Sequence, residues 1–344
     1  MVKRRYNNKI PYTTPAIQQY HASRQLAMEE YKQGEVAYNK DDLNKCLFRS
    51  LCVNYLPQQK QIPIPEFDVN SNKTAVIVEF RILPHIEFII RNTILKLGPS
   101  WSHTIVCGQY NSLFMTKICQ SISPQINIVT TTLKNITQKE YSLFLTSSTF
   151  WNILKSDKIL IYQEDSCIFK NNVDKFLKWD YIGAPFEERT ERICVGNGGF
   201  SIRTRQIMLE AIATRPSLEE RIITYNNKRP EDIYFCRTMV NYNIGKVADW
   251  DEAFSFSTEN YVNINSFGGH QFWKNDSKWV NRMEQLMKSY YQSPPLFLDY
   301  YKYPILFNKY ILRLQDPSSE VKYKLSNKGE HKSKYICAVH CYNL

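Results

Sequence analysis

Between residues 74 and 163 the chain alternates short β-branched apolar runs with longer amphipathic stretches, and this alternation restricts the fold more than any other feature. Residues 74–80 (TAVIVEF) form an apolar run of strand length. Pro84 then opens a helix in which Ile86, Ile89, Ile90, Ile94, Leu95 and Leu97 share one stripe, and Gly98 closes it. Residues 103–107 and 126–129 read as the next strands. Residues 158–163 (KILIYQ) read as another, preceded by a helix-like segment over 141–154. Repetition of strand, helix and strand predicts an α/β domain with a mostly parallel sheet flanked by helices. Ligands of such sheets lie beyond the carboxyl ends of the strands. The acidic residues after KILIYQ therefore stand where a ligand would bind.

The flanks read differently. Residues 15–56 have the pattern of a helical hairpin: Leu26, Tyr31, Ala37 and Tyr38 follow one helical period, and Leu43, Leu47, Leu51 and Val53 another. One helical pair of this kind cannot bury its own face, so it is expected to pack on the main domain or on a partner. Residues 57–73, with three prolines, read as a linker. The expected division is a helical hairpin and linker over 1–73, the α/β domain over 74–275, and a helical or irregular extension over 276–344. Either end is a place where two copies could pair.

Lys and Arg number 44 against 33 Asp and Glu, an excess that favours anionic partners but lies largely in the terminal segments. The nine cysteines have no framework spacing and fit a reducing setting. Cys337, His340 and Cys341 with His331 match no common zinc spacing. The start has basic residues but no apolar h-region, and the longest apolar runs fall far short of the ~20 residues a membrane helix needs. The expectation is a cytoplasmic chain (in the host cytoplasm if the source is viral) with no signal peptide and no transmembrane segment.

Four segments carry candidate chemistry. In IYQEDSC (161–167), Glu164 and Asp165 end an apolar strand, where a buried carboxylate needs a compensating cation or donor. A divalent ion with hard oxygen ligands would serve; two solvated charges in a turn is the plainer reading. In VGNGGFSIRTR (195–205), Gly196, Gly198 and Gly199 run straight into an apolar strand. Glycine there marks a wall that a ligand or another backbone approaches closely. In RPEDIYFCR (229–237), Glu231 and Asp232 open a helix, an ordinary place for carboxylates and also a place for a general base. In SFGGHQFW (266–273), following FSFSTEN (254–260), His270 is held between a glycine pair and an aromatic pair, and could complete a metal shell.

Taken in order, TAVIVEFR, the Pro84 helix, EYSLFLTSSTFW (140–151), IYQEDS, WDYIGAPF (179–186), VGNGGFSIR, PEDIYF, AFSFSTE and FGGHQFW resemble a family of GT-A-type glycosyltransferases. That family is known mainly as a domain of uncharacterised function in giant viruses, fungi and bacteria. The resemblance spans roughly residues 74–275. It implies a GT-A-like, Rossmann-related sheet and transfer of a hexosyl or N-acetylhexosaminyl unit from a nucleotide sugar to an acceptor hydroxyl. A UDP-linked donor and Mn2+ or Mg2+ are the expected substrate and cofactor. Asp165 matches the metal-binding position, with His270 as a further ligand, although Gln163-Glu164-Asp165 replaces two aspartates flanking one residue. Glu164 is left open as a helper. Gly198 and Gly199 match the wall beneath donor sugar and acceptor. Asp232, with Glu231 as the alternative, matches the acidic pair that supplies the base of inverting enzymes. Glu79 and Arg81 match the nucleotide side of the first strand. Two other readings compete: a sugar- or nucleotide-binding module without catalysis, and a basic nucleic-acid-binding protein. The second lacks any specific nucleic-acid signature.

Overall fold

The computed structural model describes residues 40–188, 192–215 and 230–290. The first helix of the expected hairpin, the His331 and Cys337–Cys341 cluster and most of the C-terminal extension lie outside the described residues.

The central sheet contains six strands in the order β3-β2-β1-β4-β7-β6. They are β1 (Lys73–Val78), β2 (Ser102–Gly108), β3 (Asn127–Thr131), β4 (Lys158–Tyr162), β6 (Tyr181–Ile182) and β7 (Phe200–Thr204). β1 to β4 run parallel, whereas β7 is antiparallel to β4 and β6 to β7. The sheet is thus mainly parallel, as the alternation of patterns predicts, with an antiparallel edge. A second, three-stranded sheet joins β5 (Ser166–Ile168), β9 (Gly268–His270) and β8 (Ser257–Thr258).

Both faces of the central sheet are covered. Successive side chains of a strand point to opposite faces. Ala75, Ile77, Ile105, Cys107, Leu160 and Tyr162 accordingly enter one core, and Val76, Val78, Val106, Ile159 and Ile161 the other. This explains why the strands read as continuous apolar runs rather than as alternating ones. The first core lies against α1 (Lys40–Gln59), α2 (Ile86–Leu97), α3 (Ser112–Ile122) and α9 (Trp279–Lys288). The second lies against α4 (Gln138–Leu145), α5 (Ser148–Asn152), α6 (Arg205–Thr214) and α7 (Glu231–Tyr242). α8 (Trp250–Phe256) leads directly into β8.

Two elements differ from the sequence expectation. The helix-like segment over 141–154 is two helices. Thr137 and Glu140 cap the first reciprocally, and the Ser147 side chain accepts from Phe150 N to start the second. The expected linker begins later than residue 57, because α1 continues through Pro57 to Gln59. α1 docks on the α/β domain through Phe48, which lies 4.8 Å from the Trp273 ring and 5.6 Å from the Phe272 ring.

Candidate active site

The chain winds β1→β2→β3 to one side and then returns to place β4 on the other side of β1. A crevice opens at such a switch point, beyond the carboxyl ends of β1 and β4. A cleft of about 640 Å³ lies there. The nine residues to which the family resemblance gives a site role line it: Glu79, Arg81, Glu164, Asp165, Gly198, Gly199, Glu231, Asp232 and His270, whereas Gly196 does not.

The Glu164–Asp165 pair occupies a tight turn after β4, closed by Ser166 N donating to the Gln163 carbonyl at 3.0 Å. The two side chains part from there. Glu164 is 2% exposed and surrounded by basic side chains. Arg49 donates to it through Nε at 3.1 Å and also through Nη2; His85 Nε2 lies 2.8 Å from Oε2, and Lys45 Nζ 3.2 Å from Oε1. Burial alone would raise its pKa, but Arg49, then His85 and Lys45, hold it well below the usual carboxylate range. Glu79 is clamped by its neighbour, with Arg81 Nε and Nη2 donating to its two oxygens at 2.8 and 2.7 Å.

Asp165 turns towards β9, because the antiparallel register of β5 and β9 sets Ser166 opposite His270. His270 Nε2 lies 3.2 Å from Asp165 Oδ1, and its Nδ1 lies 3.0 Å from Glu259 Oε1. Neither contact has hydrogen-bond alignment, and Glu259 Oε2 is also buried without a partner. Burial opposes a charge on the imidazole, yet Glu259 and Asp165 together raise its pKa to about 10. Burial would raise the Asp165 carboxyl, but the same imidazolium, with Lys45, holds it below its ordinary value. Among the described residues no group of three or more His, Cys, Asp or Glu side chains forms a ready-made metal shell. A divalent cation between Asp165 and His270 would take the place of the imidazole proton, and the unaligned ring nitrogens and orphaned Glu259 oxygen suit such an exchange.

Gly198 and Gly199 separate this pair from the second acidic pair. Asp232 Oδ2 accepts from Gly198 N at 3.0 Å, and Oδ1 accepts from Ile233 N at 2.7 Å. Burial, followed by the neighbouring Glu231 charge, pushes the Asp232 carboxyl up to about 6. Glu231 is engaged elsewhere: fully buried Arg203 donates to its Oε1 at 2.7 Å, and the Arg203 guanidinium lies 4.9 Å from the Tyr181 ring centre.

The glycines are required by space. A Cβ at Gly198 would sit 2.1 Å from Glu231 Oε1, and one at Gly199 2.5 Å from the His270 ring. Gly199→Ala is therefore expected to displace the imidazole and cost about 1–3 kcal/mol of stability. A thermal melt of that variant superimposing on the wild-type melt would contradict the packing.

Several residues that line the cleft or contact its lining carry no sequence signal. Lys45 and Arg49 arrive from α1, and His85 precedes α2 as a lone histidine. Glu259 lies in the quoted FSFSTEN segment but reads there as one more polar residue. Three non-glycine residues among those described have positive φ, and two of them, Asn197 (57°) and Gln271 (45°), line the cleft. Such backbone strain gathers at functional sites. Gln271 donates from Nε2 to Asp165 Oδ2 at 2.9 Å. Asn197 Nδ2 is buried without a partner.

Residues 125–270, under half of the chain, match the model of a family described as "Protein of unknown function (DUF5672)". The segment contains Glu164, Asp165, both cleft glycines, Glu231, Asp232 and His270, and leaves out Glu79, Arg81 and α1. No curated protein matches the sequence. Similar solved structures include the inositol-1-phosphate CTP transferase from T. maritima, at 9% identity and TM-score 0.37 over 62% of this chain and 96% of that one. Another is the glycosyltransferase GlyE of Streptococcus pneumoniae TIGR4, at 11% identity and TM-score 0.41 over 74% and 66%. The mannosyltransferase PcManGT from Pyrobaculum calidifontis, in complex with GDP-Man and Mn2+, shows 10% identity and TM-score 0.39 over 80% and 82%. No helix among the described residues is long and apolar enough to cross a membrane.

Proposed function

We propose that the chain is a metal-dependent glycosyltransferase, moving a hexosyl or N-acetylhexosaminyl unit from a UDP-linked donor to an acceptor hydroxyl with inversion. One observation carries the reading. A single cleft at the switch point holds the Asp165–His270 pair on one side of Gly198–Gly199, and on the other a carboxyl whose pKa is raised to about 6. Asp165 and His270 are the residues that would hold Mn2+ or Mg2+. That ion would supply neutralisation of the charge on the departing diphosphate.

The remaining chemistry belongs to the chain. Asp232 accepts the proton of the acceptor hydroxyl while its oxygen bonds to the anomeric carbon and the bond to the nucleotide breaks. A base with pKa near 6 is ionised at neutral pH yet more basic than an ordinary carboxylate, which suits that role. Glu231 is held by Arg203, which leaves Asp232 as the base of the pair. Gly198 N fixes the Asp232 oxygen, and the glycine wall leaves room for the sugar.

Nucleotide release from a panel of nucleotide sugars, with Mn2+ or with chelator, tests the assignment. Release from one donor is expected to need metal and to fall at least ~100-fold in Asp165→Ala. Failure of the folded protein to bind any nucleotide sugar would remove the donor site. Binding without metal-dependent release, in the presence of candidate acceptors, would favour a non-catalytic module.

A further inference from the structure

Helix α1 lies outside the family-matched segment, yet it carries one cation, Lys45, into the cleft and sets a second, Arg49, against the cleft residue Glu164. Lys45 and Arg49 are one helical turn apart and share a face. Their surroundings differ. Arg49 meets Glu164 through two donors, and His85 meets the same carboxylate from α2's N-terminal side, so the Glu164 charge is compensated without Lys45. Lys45 keeps a side-chain exposure of 30%, lines the cleft, and places Nζ 3.2 Å from Asp165 Oδ2. Gln271 Nε2 already donates to that oxygen, and His270 stands by the other. Lys45 is thus an extra positive charge on an acid that has other partners, carried on a flexible stem with three rotatable donors.

The backbone beneath it is anchored. Phe48, fully buried, packs against Phe272 and Trp273, the residues that directly follow Gln271. α1 and the β9 end of the cleft therefore form one packed unit, and the position of Lys45 relative to Asp165 follows from that packing.

We propose that Lys45 is a donor-binding residue that contacts the diphosphate of the nucleotide. Without donor, Asp165 and Glu164 hold the ammonium. With a divalent cation beside Asp165, repulsion and the incoming phosphate oxygens turn the side chain from carboxylate to diphosphate. This inference rests on the donor-site reading above and deepens it by giving the N-terminal helix a part in binding.

Two effects of opposite sign follow for Lys45→Met. At saturating Mn2+, calorimetry should show UDP binding weakened at least about tenfold, the usual scale for one charge-assisted hydrogen bond. Without nucleotide, paramagnetic resonance of free Mn2+ should show metal binding strengthened several-fold, because the ammonium no longer competes for Asp165. Lys45→Arg should retain UDP binding within about threefold, since it keeps the cation. Wild-type UDP affinity in Lys45→Met overturns the proposal. So does a joint loss of UDP and Mn2+ binding with a lowered melting temperature, which marks Lys45 as structural support only. A wild-type protein that binds none of UDP, GDP, ADP and CDP with Mn2+ overturns the donor-site reading, and this inference falls with it.

Discussion

Asp232→Asn is expected to lower turnover by about two to four orders of magnitude, the range for removing a general base, while donor affinity stays near wild type. Asparagine keeps an oxygen for Gly198 N, but sets an amide NH2 against Ile233 N and so loses that acceptor along with the capacity to take a proton. Wild-type activity should rise with pH through about 6, where Asp232 ionises, and the variant should lack that limb. Stability should move the other way. A carboxyl whose folded pKa is raised from 3.8 to about 6 contributes stability below the lower value that is lost as pH rises through the upper one. Removing the charge favours the variant above pH 6, whereas the lost acceptor for Ile233 N costs about 1–3 kcal/mol, so the variant should stay within about 3 kcal/mol of wild type there. Chemical denaturation at pH 5 and 7.5, with initial rates across the same range, checks both arms. Full turnover in the variant would sink the base assignment, and a loss of more than about 3 kcal/mol at pH 7.5 would show that the acid is a structural element.

Glu164→Ala should destabilise the fold by about 3–5 kcal/mol, the scale for breaking a buried ion pair by removing one partner. The change strands Arg49 and His85, the latter 1% exposed, and removes one of the two acids that hold Lys45. α1 should loosen first, since Phe48 and this ion-pair group together fasten it. The pH dependence follows from the depressed pKa of Glu164. Its contribution is present above the ordinary value of 4.5 and is lost as pH falls towards the lower folded value. Wild type should lose stability as pH falls below about 4, and the variant should lose much less over the same interval. Urea melts at pH 7 and 3.5 measure both. A variant within about 1 kcal/mol of wild type at pH 7 would mean that the cations are satisfied by solvent.

Much of the architecture was readable before any coordinates, for reasons of periodicity. Strands buried on both faces must be apolar throughout, so TAVIVEF and KILIYQ stand out. The helix after β1 shows an apolar stripe in Ile86, Ile90 and Ile94, although the structure buries that helix almost all round. Strand ends in such a sheet face the ligand crevice, so the position of Glu164 and Asp165 directly after β4 identified the cleft. Gly198 and Gly199 were legible because glycine before an apolar strand implies a close approach. The neighbours they approach, Glu231 and His270, were not.

Those pairings are matters of register and packing, which sequence spacing does not encode. His270 reaches Asp165 only because β9 pairs antiparallel with β5 with Ser166 opposite His270; a shift of one residue would turn the imidazole to the other face. Adjacent carboxylates look equivalent in a string, yet a tight turn sends Glu164 to the cations of α1 and Asp165 to the histidine. Glu231 and Asp232 likewise divide into a residue held by Arg203 and one with a raised pKa, and the difference is the burial of a guanidinium 28 positions away in sequence. Lys45 and Arg49 enter from a segment more than a hundred residues before the acids they meet. The sequence by itself determined where a site of this kind had to lie, because local patterns fix strands and their ends. Only the tertiary structure decided which charges face one another there, because electrostatic partners are chosen by distance in space.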